Sequence, residues 1–404
     1  MSTARTAGPQ PGAYRALVLA TLGFALCFSV WGLVAPLAPQ FQELYKLSNT
    51  QISVVIATPV ILGSLFRIPL GLITDRFGGR VVFTGLMLVV TVPVLFIGLL
   101  GGSFAGLLFW GFLIGLAGAS FAVGVPFVNK WFPPHMQGLA LGVYGMGNIG
   151  TAVAAYSAPA IAAFYGWQWA FWVFIIPLIA MAAVFWTLGR DAPSTGPRPS
   201  VTAGLVLFRE EVMPWVLSLF YFLTFGGFVA MGIYLPKLLV DLFGFTQTGA
   251  GMRAAGFVVL ATLSRPVGGW LADKIGGSRT LMISFALLPV MALILSFEPG
   301  IFLFTIGALT SAVLFGLGNG AVFKLVAEYY PAKTGAVTGV VGAAGGLGGF
   351  FPPLVLGVVR DATGAYTLGF IFLAVFAVGC LLVNALFVRK RPSGADTATE
   401  GRVR

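Results

Sequence analysis

Two arginines, Arg67 and Arg265, stand where a charge is hard to accommodate. Each lies about two helical turns ahead of a polar loop, inside an apolar stretch, so reaching the water would strain the side chain. An arginine at the centre of a membrane helix costs at least ~2.5 kcal/mol on insertion scales, so each should face a cavity and have a task there. No Asp or Glu sits at midspan anywhere in the sequence: Asp75, Asp273 and Glu328 fall at helix ends, and the others in loops or tails. Two cations without a protein counter-ion require a bound anion. Guanidinium is planar, always charged and offers paired donors, which suits a planar oxyanion. Either arginine taken alone could instead be satisfied by backbone carbonyls or packing.

Two glycine-rich stretches stand at matching places, GVYGMGNIG from Gly142 to Gly150 and GVVGAAGGLGG from Gly339 to Gly349. Small residues let helices pack closely and slide. The same stretches could equally face substrate, which makes Gly147, Gly345 and Gly346 candidates for lining a pathway. Asn148 breaks the match, because Gly346 stands at its counterpart, and an amide can donate to an anion without adding charge. Asn319 is a further polar residue of this kind. The lone histidine, His135, lies in a basic FPPHMQG turn and reads as solvated; Lys324 and Glu328, one turn apart, are expected to pair locally. Metal-ligand and nucleophile constellations are absent, as is a phosphate-binding G-x-x-x-x-G-K-[ST] loop, so neither an enzyme, a metal site, a bound cofactor nor an ATP-driven pump is expected.

The elements that must position these residues follow from composition. The chain of 404 residues is 58% hydrophobic and only 9% charged, with a mean hydropathy of +0.97, and it cannot cover itself with polar surface. Apolar runs recur from Tyr14 to Val388, each near the roughly 20 residues that carry a helix across a bilayer, and none alternates like a barrel strand. They predict an all-α integral membrane protein of about twelve transmembrane helices. The first runs from Ala16 to Ala38 and is retained, not cleaved as a signal; the tenth runs from Ile301 to Leu325. Cys27 and Cys380 both lie within spans, as small packing residues.

The net charge of +11 is not a nucleic-acid patch, because the basic residues alternate with the spans. Arg76, Arg80, Lys130, Arg190, Arg198, Arg209, Lys274, Arg279, Lys333 and the tail Arg389, Lys390 and Arg391 fall on every second connection. The intervening connections hold little more than Lys46, Lys237 and Arg360. The positive-inside rule then places both termini in the cytoplasm and makes the span number even. A Pro, Gly and charge-rich stretch near the middle divides the chain into a tail (1–15), a six-helix half (16–189), a cytoplasmic linker (190–213), a second half (214–388) and a C-terminal tail (389–404).

The halves repeat. RIPLGLITDRFGG from Arg67 matches RPVGGWLADKIGG from Arg265, and the arginines, the glycines Gly71 and Gly269, and the aspartates are each 198 residues apart. The same offset pairs Trp131 with Tyr329, Gly147 with Gly345, and Gly150 with Gly348. Two pseudo-symmetric halves in parallel repeat, with a substrate site near the midplane between them, form the architecture of major facilitator transporters.

GLITDRFGGR from Gly71 to Arg80, with its weaker copy GWLADKIGG, resembles the signature loop of that superfamily. The resemblance implies that Asp75 and Arg76, and by symmetry Asp273 and Lys274, act in gating. A closer resemblance rests on GMGNIG and GAAGGLGGF, which are similar to the paired glycine signatures of the nitrate/nitrite porter family. It extends to FRIPLG from Phe66, GASFA from Gly118, YFLTFGGF from Tyr221, RPVGG from Arg265 and GNGAVF from Gly318, and so covers most of the chain. It implies that Arg67 and Arg265 bind the anion, that Asn148 supplies an amide, that Phe121 and Phe225 form an aromatic clamp, and that Tyr221 brings a hydroxyl. Aromatic faces can sandwich a flat anion and exclude water, although each aromatic alone could equally be packing.

The expectation is a multi-pass secondary transporter of nitrate or nitrite in the cytoplasmic membrane, in contact with lipid, working by alternating access as a monomer. Other readings are a carrier for another small anion, such as formate or a carboxylate, and a non-transporting membrane anion sensor. An empty site with two bare cations resists reorientation, which makes nitrate/nitrite exchange physically natural. The compact length resembles family members associated with proton-coupled nitrate uptake; the two lines conflict, and the expectation leans to uptake for assimilation or respiration with the coupling, exchange or protons, left open.

Overall fold

The computed structural model describes residues 8–193, 210–331 and 333–388. Most of the expected linker, with Arg198 and Arg209, and the C-terminal tail with Arg389, Lys390 and Arg391 lie outside the described residues, as do residues 1–7.

Among the described residues, twelve helical spans are long and apolar enough to cross a membrane. Spans 1 to 6 are Ala13–Tyr45, Val54–Phe77, Gly79–Leu100, Phe104–Asn129, Pro134–Tyr165 and Trp167–Leu188. Spans 7 to 12 are Met213–Pro236, Gly249–Ile275, Gly277–Ser296, Ile301–Tyr329, Thr334–Phe351 and Thr367–Val388. Spans 1 and 10 run a turn or more past the apolar stretches that announce them, because the ends of a helix tolerate polar residues. Ser48 caps the helix that enters span 2 in a reciprocal box with Gln51, and Ser103 and Thr246 cap the helices of spans 4 and 8. Leu22, Val92, Ile176, Phe302, Phe372 and Val375 are exposed on the outer faces, where hydrocarbon is the solvent.

The repeat is visible in the turns. Gly78 and Gly276, 198 residues apart, have φ of 89° and 93° between spans 2 and 3 and spans 8 and 9. Gly166 and Gly364, again 198 apart, have φ of 91° and 73° between spans 5 and 6 and spans 11 and 12. An L side chain at such angles would be strained, so single glycines let consecutive spans reverse.

Span 11 packs against spans 2 and 4, and span 8 against span 5, so each half grips the other. The backbones touch where the repeat places glycine: a Cβ at Gly71 would strike the Gly335 carbonyl, and one at Gly269 the Gly138 carbonyl. Both ends of the described chain meet this same basic end of the molecule. The Gln10 amide donates to the Trp131 carbonyl (3.1 Å), and Asn384 donates to the Ser278 carbonyl (2.9 Å).

Two local features differ from the sequence expectation. Span 1 is not one continuous helix but breaks at Gly32 and Leu33 and continues as Val34–Tyr45. The 198-residue offset is not constant: Gly138, Gly142 and Gly145 occupy the places of Gly335, Gly339 and Gly342, an offset of 197. Met146–Asn148 of span 5 is a 3₁₀ turn, whereas span 11 stays α-helical. A 3₁₀ turn rises further per residue, so one residue fewer covers the same height, and the offset returns to 198 at Gly147.

Candidate anion-binding site

Pro69 has no N–H to give the Leu65 carbonyl, and the helix of span 2 breaks at Phe66, immediately before Arg67. Arg265 sits beside Pro266 in the equivalent span of the other half. Both side chains turn inward and are 1% and 2% exposed. At that burial neither arginine reaches lipid or water, and among the described residues neither forms an ion pair.

Their hydrogen bonds are unequal. Arg67 donates from Nε to the Gly118 carbonyl of span 4 (3.1 Å) and from Nη1 to the Gly342 carbonyl of span 11 (2.6 Å). Arg265 donates from Nη2 to the Tyr221 hydroxyl (3.3 Å), while its Nε and Nη1 are buried with no partner among the described residues. Asn148, 1% exposed, has no partner for either amide atom, and the Asn319 oxygen is likewise unmet. Buried donors left unmet cost about 1–3 kcal/mol each, and more when charged. Such a cluster is stable only if something with acceptors completes it.

Aromatic rings frame the two guanidinium groups. The Arg67 guanidinium carbon lies 5.9 Å from the Phe121 centroid and 5.3 Å from that of Phe225; for Arg265 the distances are 5.5 and 5.8 Å. Tyr221 stacks on Phe225 at 5.0 Å and 9°, and on Phe121 at 6.2 Å and 11°. One residue from each half thus faces both cations, in a frame that can hold a flat ligand in register.

The frame has members that motif reading missed. Phe323 stands edge-on to both Phe121 and Tyr221, at 4.7 Å from each. The Tyr144 hydroxyl donates to the Ser120 carbonyl (3.0 Å), and its ring stacks on Phe24 at 4.9 Å and 28°. Phe323 is one turn beyond Asn319 and Tyr144 one turn before Asn148, so helical spacing from the polar candidates could have found them.

The glycine stretches clear space for the arginines of the opposite half. A Cβ at Gly142 would come within 2.6 Å of the Arg265 carbonyl, and one at Gly339 within 2.6 Å of the Arg67 carbonyl. A Cβ at Gly145 would stand 2.5 Å from Arg265 Nε, and one at Gly342 3.0 Å from Arg67 Cδ. Gly147 instead abuts Phe24, Gly345 abuts Tyr221, and Gly346 abuts Ser64. Those three glycines therefore seat the frame and do not touch the arginines.

At the basic end, Asp75 accepts hydrogen bonds from the Gly335 and Ala336 amides (3.3 and 3.0 Å) at the start of span 11. Asp273 does the same for Gly138 and Leu139 (3.0 and 2.8 Å) at the start of span 5. Each carboxylate caps a helix N-terminus of the other half, where the helix dipole favours negative charge. Lys324 does not pair with Glu328 as expected. It forms an ion pair with Asp273 of span 8, in its own half, at 3.0 Å and donates to the Pro134 carbonyl of the opposite half, while Glu328 is exposed. Arg76 and Lys274 stay out of these contacts and lie over their own neighbours' rings, Phe77 at 5.4 Å and Trp270 at 5.1 Å. A cleft of about 320 Å³ lined by His135, Met136, Leu139, Trp270, Asp273 and Lys274 opens beside the Asp273 cap, and His135 is exposed.

Comparison with known proteins gives a consistent set of relatives. The Major Facilitator Superfamily family model matches residues 20–261 and 238–403. The chain is 45% identical over 368 residues to a "Nitrite extrusion protein" of Bacillus subtilis (strain 168), covering 91% of this chain and 92% of that one. It is 42% identical over 366 residues to a "Probable nitrate transporter NarT" of Staphylococcus epidermidis, covering 91% and 94%. Among solved structures, the human organic anion transporter MFSD10 superposes with a TM-score of 0.80 at 16% identity, over 93% of this chain and all of that one. The transporter FucP in its outward conformation superposes with a TM-score of 0.72 at 17% identity, over 94% and 100%. At these identities the structural likenesses establish the fold.

Proposed function

Since the chain belongs to the Major Facilitator Superfamily, and within it to the nitrate/nitrite transporters, we propose that it carries nitrate and nitrite across the cytoplasmic membrane by alternating access, the anion held between Arg67 and Arg265. The observation that carries this reading is the buried, unneutralised pair of guanidinium groups, with Arg265 Nε and Nη1 lacking any acceptor. A planar oxyanion supplies what those groups lack: in-plane oxygens for the donors, one negative charge between two positive ones, and a flat face for Phe121 and Phe225. Asn148 adds neutral donors, and Asn319 a polar atom on the pathway.

The units that rock are taken as 16–189 and 214–388, with the basic end in the cytoplasm by the positive-inside rule. Asp75 and Asp273 then hold the cytoplasmic end shut by capping the facing spans. Both arginines come from one chain, so a monomer suffices. With two cations and one monovalent anion, the loaded site carries less excess charge than the unloaded one. Reorientation is therefore easier with an anion aboard, which supports exchange of nitrate for nitrite over proton-coupled uptake.

Counterflow in proteoliposomes tests both claims. Labelled nitrate should enter vesicles preloaded with nitrite, and formate outside should compete poorly. Uptake into unloaded vesicles driven only by an acid exterior would replace exchange with proton coupling. Failure of nitrate to compete with another anion would replace the substrate.

A further inference from the structure

Arg67 and Arg265 occupy equivalent places in the repeat, yet their hydrogen bonds cross the molecule differently. The partner of Arg265 is Tyr221, in the same half, and that bond survives any movement of one half against the other. Arg67 bonds Gly118 in its own half but also the Gly342 carbonyl in the opposite half, and the latter bond at 2.6 Å must break when spans 2 and 11 part. The mirror contact is missing. Gly145, the counterpart of Gly342, lies against Arg265 Nε, but its carbonyl accepts nothing from that nitrogen.

We propose that the two arginines divide the work: Arg265 is the fixed anchor of the anion, and Arg67 is a switch whose guanidinium exchanges the Gly342 carbonyl for an oxygen of the anion as the basic end opens. This rests on the anion-transport reading above. Arg265 has three N–H groups without partners, one on Nε and two on Nη1, and offers them in either orientation of the halves. Arg67 Nη1 would be stranded in a buried, charged state on opening, and the anion is the acceptor that takes over from Gly342. Binding thereby favours opening, which is the coupling an exchanger needs, because a ligand shifts an equilibrium only through a difference in affinity for the two states. Nitrate or nitrite fits this exchange geometrically, since each presents oxygens to both guanidinium planes at once.

The test places spin labels at Phe77 and Glu328, exposed residues at the basic ends of spans 2 and 10, in the full-length reconstituted protein. Distances are measured while sodium nitrate is titrated. In the wild type, nitrate should lengthen the distance. Gly342→Ala, whose methyl would press on Arg67 Cδ at 3.0 Å, should lengthen it without nitrate and tighten nitrate binding, since the binding-competent state is then populated beforehand. Gly145→Ala, whose methyl would meet Arg265 Nε at 2.5 Å, should leave the nitrate-free distance at the wild-type value and weaken nitrate binding roughly tenfold or more. Arg67→Lys gives a second reading of the latch and should also lengthen the nitrate-free distance. The division of work is overturned if Gly342→Ala and Arg67→Lys keep the wild-type distance, or if both glycine variants weaken binding equally. A wild type that binds nitrate with no change in distance also sinks the switch, whereas a wild type that binds no nitrate sinks the transport reading instead.

Discussion

A buried guanidinium group with no acidic neighbour is costly, and this protein buries two of them against the same pair of phenyl rings. On the proposed reading, that cost is recovered when an anion completes the hydrogen bonds. One charge-assisted hydrogen bond contributes about 1.5–3 kcal/mol, so losing it weakens binding roughly ten- to hundredfold. Arg265→Lys, which keeps the charge but loses the planar fork, is therefore expected to weaken nitrate by at least about tenfold in an equilibrium titration. Phe323→Ala removes the ring that stands edge-on to Phe121 and Tyr221. It should raise the KM for nitrate severalfold, beyond the loss of stability that a cavity at a buried ring brings; unchanged KM would remove Phe323 from the frame. The arginines were legible in the sequence because charge is rare in apolar runs. Phe323 and Tyr144 were not, because 37 phenylalanines and 10 tyrosines hide any two.

Spans 2 and 11, and spans 5 and 8, approach so closely that backbone meets backbone, and a carboxylate from each half caps the helix facing it. Gly269→Val should place a branched side chain against the Gly138 carbonyl, holding the basic end apart. The expected readout is loss of exchange together with increased labelling of a cysteine placed at Leu139; retained exchange would show that the close approach is dispensable. The Asp273 cap also carries the Lys324 ion pair, and among the described residues Asp75 has no such pair. Lys324→Met should therefore loosen the contact of spans 5 and 8 more than that of spans 2 and 11, as read by cross-linking across each. The sequence repeat disclosed the equivalence of these contacts, but the offset of 198 that pairs Gly147 with Gly345 and Gly150 with Gly348 does not extend to Gly138, Gly142 and Gly145. The one-residue difference is absorbed by a 3₁₀ turn, and nothing in residue types marks where a helix tightens. For Lys324, helical spacing offers Glu328, whereas the packing of span 10 on span 8 within one half brings Asp273 within reach.

At the scale of the whole molecule, twelve spans and a two-fold repeat were readable from composition, charge alternation and motif because each reflects a bilayer constraint that acts on sequence directly. How the halves meet depends on their relative placement, which periodicity does not encode. The candidate site holds no histidine or carboxylate that would change charge between pH 6 and 8, so exchange of nitrate for nitrite is expected to vary less than about twofold over that range; a steep fall toward pH 8 would point to a proton as a coupling ion. The central claim is that an anion binds between Arg67 and Arg265. It is tested most directly by titrating purified protein with nitrate and comparing the wild type with Arg265→Lys. The account predicts saturable binding by the wild type and a loss of at least about tenfold in the variant; equal affinity in the two would contradict it.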